Sequence, residues 1–143
     1  MLLDDGCRLK RNNYIRVVES GDGVEYRVIF YSTMEGEKPV VGFLESLRGT
    51  NDTLHKLVTA GLVKLKNRDN HGPPLTASVH GASSLMELRV GQTDIARVFF
   101  FFRPNREIVC THGYVKKRQK LDPNEVTRAE RFQADWEQRH PIV

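Results

Sequence analysis

The residues best suited to chemistry lie between Glu87 and Lys120. Arg89, Arg97, His112 and Tyr114, then Lys116, Lys117, Arg118, Gln119 and Lys120, combine guanidinium forks, an imidazole, a phenol and a run of ammonium groups. A guanidinium fork matches two phosphate oxygens, and an imidazole moves protons near neutral pH. A tyrosine ring stacks on a base, and a lysine offsets negative charge developing in a transition state. Such a set suits activation of a ribose 2′-hydroxyl and stabilisation of a crowded phosphorane, with no metal and no cofactor required. From Arg103 to Lys120 six cations face one carboxylate, Glu107, a local excess of +5 against +4 for the whole chain. A field of this kind draws in polyanions and points to nucleic acid more than to a small metabolite. A solvated charged surface is the plainer reading of the same run.

Those side chains need a scaffold, and strand alternation supplies one. In the first of three successive β segments Leu85, Glu87 and Arg89 share a face. In the second, Ile95, Arg97, Phe99 and Phe101 do. In the third, Ile108, Cys110, His112, Tyr114 and Lys116 fall together. Each segment then has one apolar side and one side bearing polar groups, which predicts a sheet packed on helices across one face and partly open on the other. The structural alternative is that Arg97 pairs with Glu87 across the ladder, His112 is a hydrogen-bonded core histidine and Tyr114 a rim aromatic.

The remaining elements follow from local signals. Tyr14–Glu19 and Glu25–Tyr31 read as β segments around the Ser20–Gly23 turn, a plausible hairpin. Pro39 opens a helix whose buried stripe is Val40, Val41, Phe43, Leu44 and Leu47, ending at Gly49. Asn51 or Asp52 caps a second helix with Leu54, Leu57, Val58, Gly61, Leu62 and Leu65 inside. Lys64, Lys66 and Arg68 suit its C-terminal end. Residues 75–83 read as a loop, three antiparallel strands follow, and Pro123 starts a last helix packing through Val126, Ala129, Phe132 or Gln133, and Trp136. The order (β)β-α-α-β-β-β-α predicts an α+β fold. At 143 residues one domain is expected. Cys7 and Cys110 have no partners at metal-ligand spacing, and Cys110 reads as a small buried hydrophobe. The absence of a long apolar run, together with Asp4 and Asp5, leads us to expect no membrane segment, no secretory signal and a cytoplasmic location.

The segments LMELRV, ARVFFFF and IVCTHGYVKKRQKLDPNEV, followed by a helix of mixed charge, resemble the Gp49-like HigB proteins of the RelE/ParE superfamily of bacterial toxin–antitoxin systems. HGYVKKRQKLDPNE carries the most specific part of the likeness, which spans roughly residues 25–139. The resemblance implies two N-terminal helices packed on a curved, mostly antiparallel sheet with a C-terminal helix. It divides the chain into an extension, 1–24, possibly a hairpin arm, and a RelE-like toxin domain, 25–143. It also implies a ribosome-dependent mRNA endonuclease that works through the 2′-hydroxyl without a metal. The partners would be a helix-turn-helix antitoxin, the ribosome and mRNA, with DNA reached only through the antitoxin complex. Carried over by position, Arg89, Arg97, His112 and Lys116 would be catalytic, and Tyr114, Lys117, Arg118, Gln119 and Lys120 would bind RNA. Phenylalanine often replaces the tyrosine in the family, so stacking is the role implied for Tyr114. Two alternatives stay open: a ParE-like inhibitor of DNA gyrase, and a phage-derived accessory protein without catalysis.

Overall fold

The computed structural model describes residues 25–82, 84–116 and 122–142. They form an α+β fold of three helices and one five-stranded mixed sheet. In chain order these are β1 (Arg27–Phe30), α1 (Pro39–Leu47), α2 (Asp52–Lys64), β2 (Thr76–Ser78), β3 (Met86–Gly91), β4 (Ile95–Arg103), β5 (Glu107–Lys116) and α3 (Pro123–Arg139). The sheet runs β1-β5-β4-β3-β2, with β1 parallel to β5 and every other neighbour antiparallel. The expected strand at Tyr14–Glu19, and the extension 1–24 with it, lies outside the described residues.

Local chemistry explains where the elements begin and stop. Pro39 occupies the first turn of α1, where a missing N–H costs nothing, and Gly49 takes φ +84° just beyond its end. The Asn51 side chain accepts the Leu54 N–H at 3.1 Å and so caps α2. Asp122 does the same for α3 through the Asn124 N–H at 2.9 Å, with Pro123 following. The β4–β5 turn places Asn105 and Arg106 at φ 66° and 58°, the left-handed pair that lets two right-twisted strands reverse tightly.

Helices lie on both faces of the sheet, and α3 closes part of the face expected to be partly open. On one side Val40, Leu54, Val58, Leu62 and Leu65 of the α1–α2 pair meet Leu88, Val98, Phe100, Ile108 and Cys110. On the other, Ala129 and Trp136 of α3 close over Phe99, Phe101, Val109 and Leu85. The Tyr31 hydroxyl reaches Asp135 at 2.6 Å, and Arg139 bonds both Asp135 (2.7 Å) and the Ser32 carbonyl (2.5 Å), locking α3 to the chain after β1. Val41 and Leu57, expected in the buried stripes, are exposed at the edges of their helices. The loop expected over 75–83 contains the edge strand β2, too short for its alternation to register in the sequence.

The largest departure from simple alternation lies in β5. Phe100 pairs with Cys110 but Val98 pairs with Gly113, so Thr111 and His112 together oppose Phe99. This is a β-bulge. Upstream of it Ile108 and Cys110 face α1 and α2; downstream Gly113 and Val115 take over that face, and His112 and Tyr114 turn to the other. The single face expected for Ile108, Cys110, His112, Tyr114 and Lys116 is therefore split at Thr111.

Candidate functional site

The far ends of β3, β4 and β5 carry the polar cluster. Arg89 sits directly opposite Arg97, Arg97 opposite Tyr114, and Ile95 opposite Lys116. With the bulge in place, Glu87, Arg89, Arg97, Tyr114 and Lys116 share one face. An open groove of about 980 Å³ runs past Arg89, Arg97 and Lys116 to Lys64 at the end of α2 and the Gln92–Thr93 turn. Four cations line it against one carboxylate, Asp69.

Depth grades these groups. The Arg89 side chain is 38% exposed and stands at the mouth, whereas that of Arg97 is 11% exposed. Lys116 is 6% exposed, the deepest of the three. Burial is the main force holding the Lys116 ammonium below the ordinary lysine value; Arg97 adds to it, Glu87 opposes it, and Arg89 contributes a smaller push in the same direction as Arg97. Beneath the cations lies Glu87, 5% exposed. Its carboxylate accepts from Arg97 Nη1 at 2.5 Å and stands 3.7 Å from Arg89 Nε. The cross-ladder pair expected between Arg97 and Glu87 is present, diagonal to the register.

Three buried donors in this cluster have no acceptor: Arg89 Nε, Arg97 Nε and the Tyr114 hydroxyl. Buried donors are almost always satisfied, so the two arginine Nε groups, both on residues that line the groove, mark a place prepared for acceptor atoms. The Tyr114 ring stacks on Phe99 at 5.8 Å. Burial pushes its phenol above the ordinary value, against the pull of Arg97 and of hydrogen bonding from the Asp122 backbone.

His112 stands apart from the groove. It is 1% exposed, sandwiched between Phe99 and Phe132, with Nε2 donating to Glu125 Oε1 at 2.9 Å and Nδ1 3.2 Å from the Thr111 hydroxyl. Burial lowers its basicity, Glu125 opposes that, and Arg128 reinforces it. This is the position of a hydrogen-bonded core histidine that joins the bulge to α3. Lys117, Arg118, Gln119 and Lys120 lie outside the described residues. Glu87 was legible as the partner of Arg97 but not as the buried centre of the cluster; a carboxylate between Met86 and Leu88, in step with Arg89, is the signal that marks it. Lys64 had been read as a helix-end cation and proves to line the groove as well.

A family model described as phage-derived protein Gp49-like (DUF891) matches residues 45–133, well over half of the chain. The chain belongs to this Gp49-like family. It is a RelE/HigB-like toxin family, which relates the protein to toxin–antitoxin systems and implies an antitoxin partner. The match takes in α2, all of β2 to β5 and the first half of α3, and therefore every described residue of the Gp49-like groove between Lys64 and Lys116. No curated protein matches the chain. No helix among the described residues of this Gp49-like protein is long and apolar enough to cross a membrane.

Proposed function

We propose that this Gp49-like protein is the toxin of a type II toxin–antitoxin pair and that it cuts mRNA on the ribosome. The observation that carries this reading is the convergence of Arg89, Arg97 and Lys116 on one groove in which the buried Nε donors of both arginines lack acceptors. A phosphodiester supplies such acceptors. The bound ribose 2′-hydroxyl loses its proton and attacks the adjacent phosphorus, and the P–O5′ bond breaks. The departing 5′-oxygen takes up a proton, leaving a 2′,3′-cyclic phosphate and a free 5′-hydroxyl. Arg97 and Lys116 stabilise the charge gathering on the non-bridging oxygens, Arg89 grips the strand at the mouth, and the ring of Tyr114 stacks against the neighbouring base. His112 contributes from below by fixing the bulge that aims Tyr114 and Lys116. Lys117, Arg118, Gln119 and Lys120 extend RNA contacts beyond the groove. The partners are a small helix-turn-helix antitoxin, through which any DNA contact is made, and the ribosome with its message, in the cytoplasm.

The test is induction in a bacterial host with sequencing of message ends. Growth arrest with cuts in codon register supports the reading; arrest with intact messages and accumulating double-strand DNA breaks would transfer the protein to the gyrase-poisoning class. Arg89→Ala, and Lys116→Met, which keeps the buried stem but removes the charge, are each expected to lower cleavage about 10²–10³-fold, as removal of one transition-state donor does. Wild-type toxicity in folded forms of both variants removes these residues from the site.

A further inference from the structure

Glu87 is placed in a way that packing alone does not require. A carboxylate is among the groups least often buried, and here it lies 5% exposed against two arginines and within the electrostatic reach of Lys116. Arg89 and Arg97 are direct cross-strand partners, a like-charge arrangement that is destabilising by itself. Lys116, opposite Ile95, brings a third positive charge to the same face. The Glu87 carboxylate satisfies Arg97 through Nη1 and leaves Nε without an acceptor. It also stands near enough to Arg89 Nε to attract it without forming a full hydrogen bond.

We propose that Glu87 is the positioning residue of the groove, an internal anion that fixes the Arg97 fork and holds Arg89 and Lys116 beside it at the separation a single phosphodiester spans. This rests on the nuclease reading above. It adds that the groove is set before RNA arrives and that one anionic site, and not a chain of equivalent phosphate contacts, governs turnover. Glu87 touches no reacting atom. It acts through Arg97, and it competes weakly with the incoming phosphate for the same guanidinium. Removing its charge therefore leaves RNA binding intact or tighter while the cations drift from the orientation that turnover needs. Because Glu87 supports the ammonium form of Lys116 against burial and against Arg97 and Arg89, its loss also displaces the alkaline limb of the rate profile to lower pH. Lys64 and Asp69, which also line the groove, are unchanged by the substitution.

The experiment compares wild type, Glu87→Gln and Glu87→Asp in oligoribonucleotide binding and in cleavage of message on translating ribosomes across pH. Glu87→Gln, which still offers Arg97 an amide oxygen, is expected to bind the oligonucleotide at least as tightly as wild type. It should cut at least tenfold more slowly, with the alkaline limb moved down. Equal losses of affinity and turnover in the folded variant, or no loss of either, overturn the proposal. If Glu87→Gln does not fold, Glu87→Asp decides: its shorter reach withdraws from Arg97, and wild-type turnover in it overturns the proposal. A wild type that cleaves no message sinks the nuclease reading instead. The positioning role is then judged by the Lys116 ammonium titration followed by NMR, which must move to lower pH in Glu87→Gln and which overturns the role if it stays in place.

Discussion

At the residue scale the groove is a problem in charge held out of water. Arg97 and Lys116 are nearly buried, and one carboxylate, that of Glu87, pairs with Arg97 and steadies the Lys116 charge. A buried charge is tolerable only when paired and hydrogen-bonded, so the surplus of positive charge and of unaccepted donors stores an affinity for an anion. The Tyr114 hydroxyl shows the opposite economy. It is buried without an acceptor, so its removal costs the fold no donated hydrogen bond. Tyr114→Phe is expected to keep the melting temperature at or above that of wild type and cleavage within a few-fold. A tenfold or larger loss of cleavage would assign the hydroxyl a direct part in the reaction and displace stacking as its role.

At the element scale the site depends on β5 being held from both sides at its bulge. Above it, Gly113 lies under Phe43 of α1; a Cβ there would stand 2.5 Å from Phe43 Cδ2. Gly113→Ala forces that ring away and is expected to cost about 1–3 kcal/mol, the usual range for overpacking a filled core, read from the denaturation midpoint. A variant as stable as wild type would show that α1 yields without cost. Below the bulge, His112 joins Thr111 to Glu125 of α3, faced also by Arg128. Burial holds its pKa below the ordinary 6.5, so the native state binds this proton less readily than the unfolded chain does. The stability this contributes is fully present above pH 6.5 and is lost as the pH falls below it. Melting temperature measured against pH should therefore decline on acidification, and the decline should flatten in His112→Gln. An unchanged acid slope in that variant assigns the loss to other groups.

At the scale of the whole molecule the net charge is small, and what matters is where the charge lies. The described groove carries three cations on the strand face, Arg89, Arg97 and Lys116, and Lys64 beyond them. Neutralising phosphates on single-stranded RNA releases counterions with a slope of about −0.7 in log affinity against log salt per phosphate, so three cations converging on one phosphodiester predict a slope of only about −0.7 from the groove itself. Lys116→Met should weaken binding without steepening that slope, and unchanged affinity in the folded variant would place the RNA elsewhere. The amino-acid sequence alone determined the order of the helices and of the last three strands, a cap at Asn51 or Asp52, the start of the last helix at Pro123, the antiparallel meander and the option of a Glu87–Arg97 pair, because these follow from periodicity, end chemistry and neighbours a few residues apart. It determined too that the arginines of β3 and β4 share a face, since no bulge separates them. Only the tertiary structure decided how α3 closes over the sheet, burying His112 and leaving a groove where an open face was expected. It decided as well that Thr111 and His112 together oppose Phe99. One extra residue in a strand leaves no periodic trace in a ten-residue segment apolar on both sides. Yet without that extra residue Tyr114 and Lys116 would point with Cys110 toward α1 and α2, and the three cations would not meet.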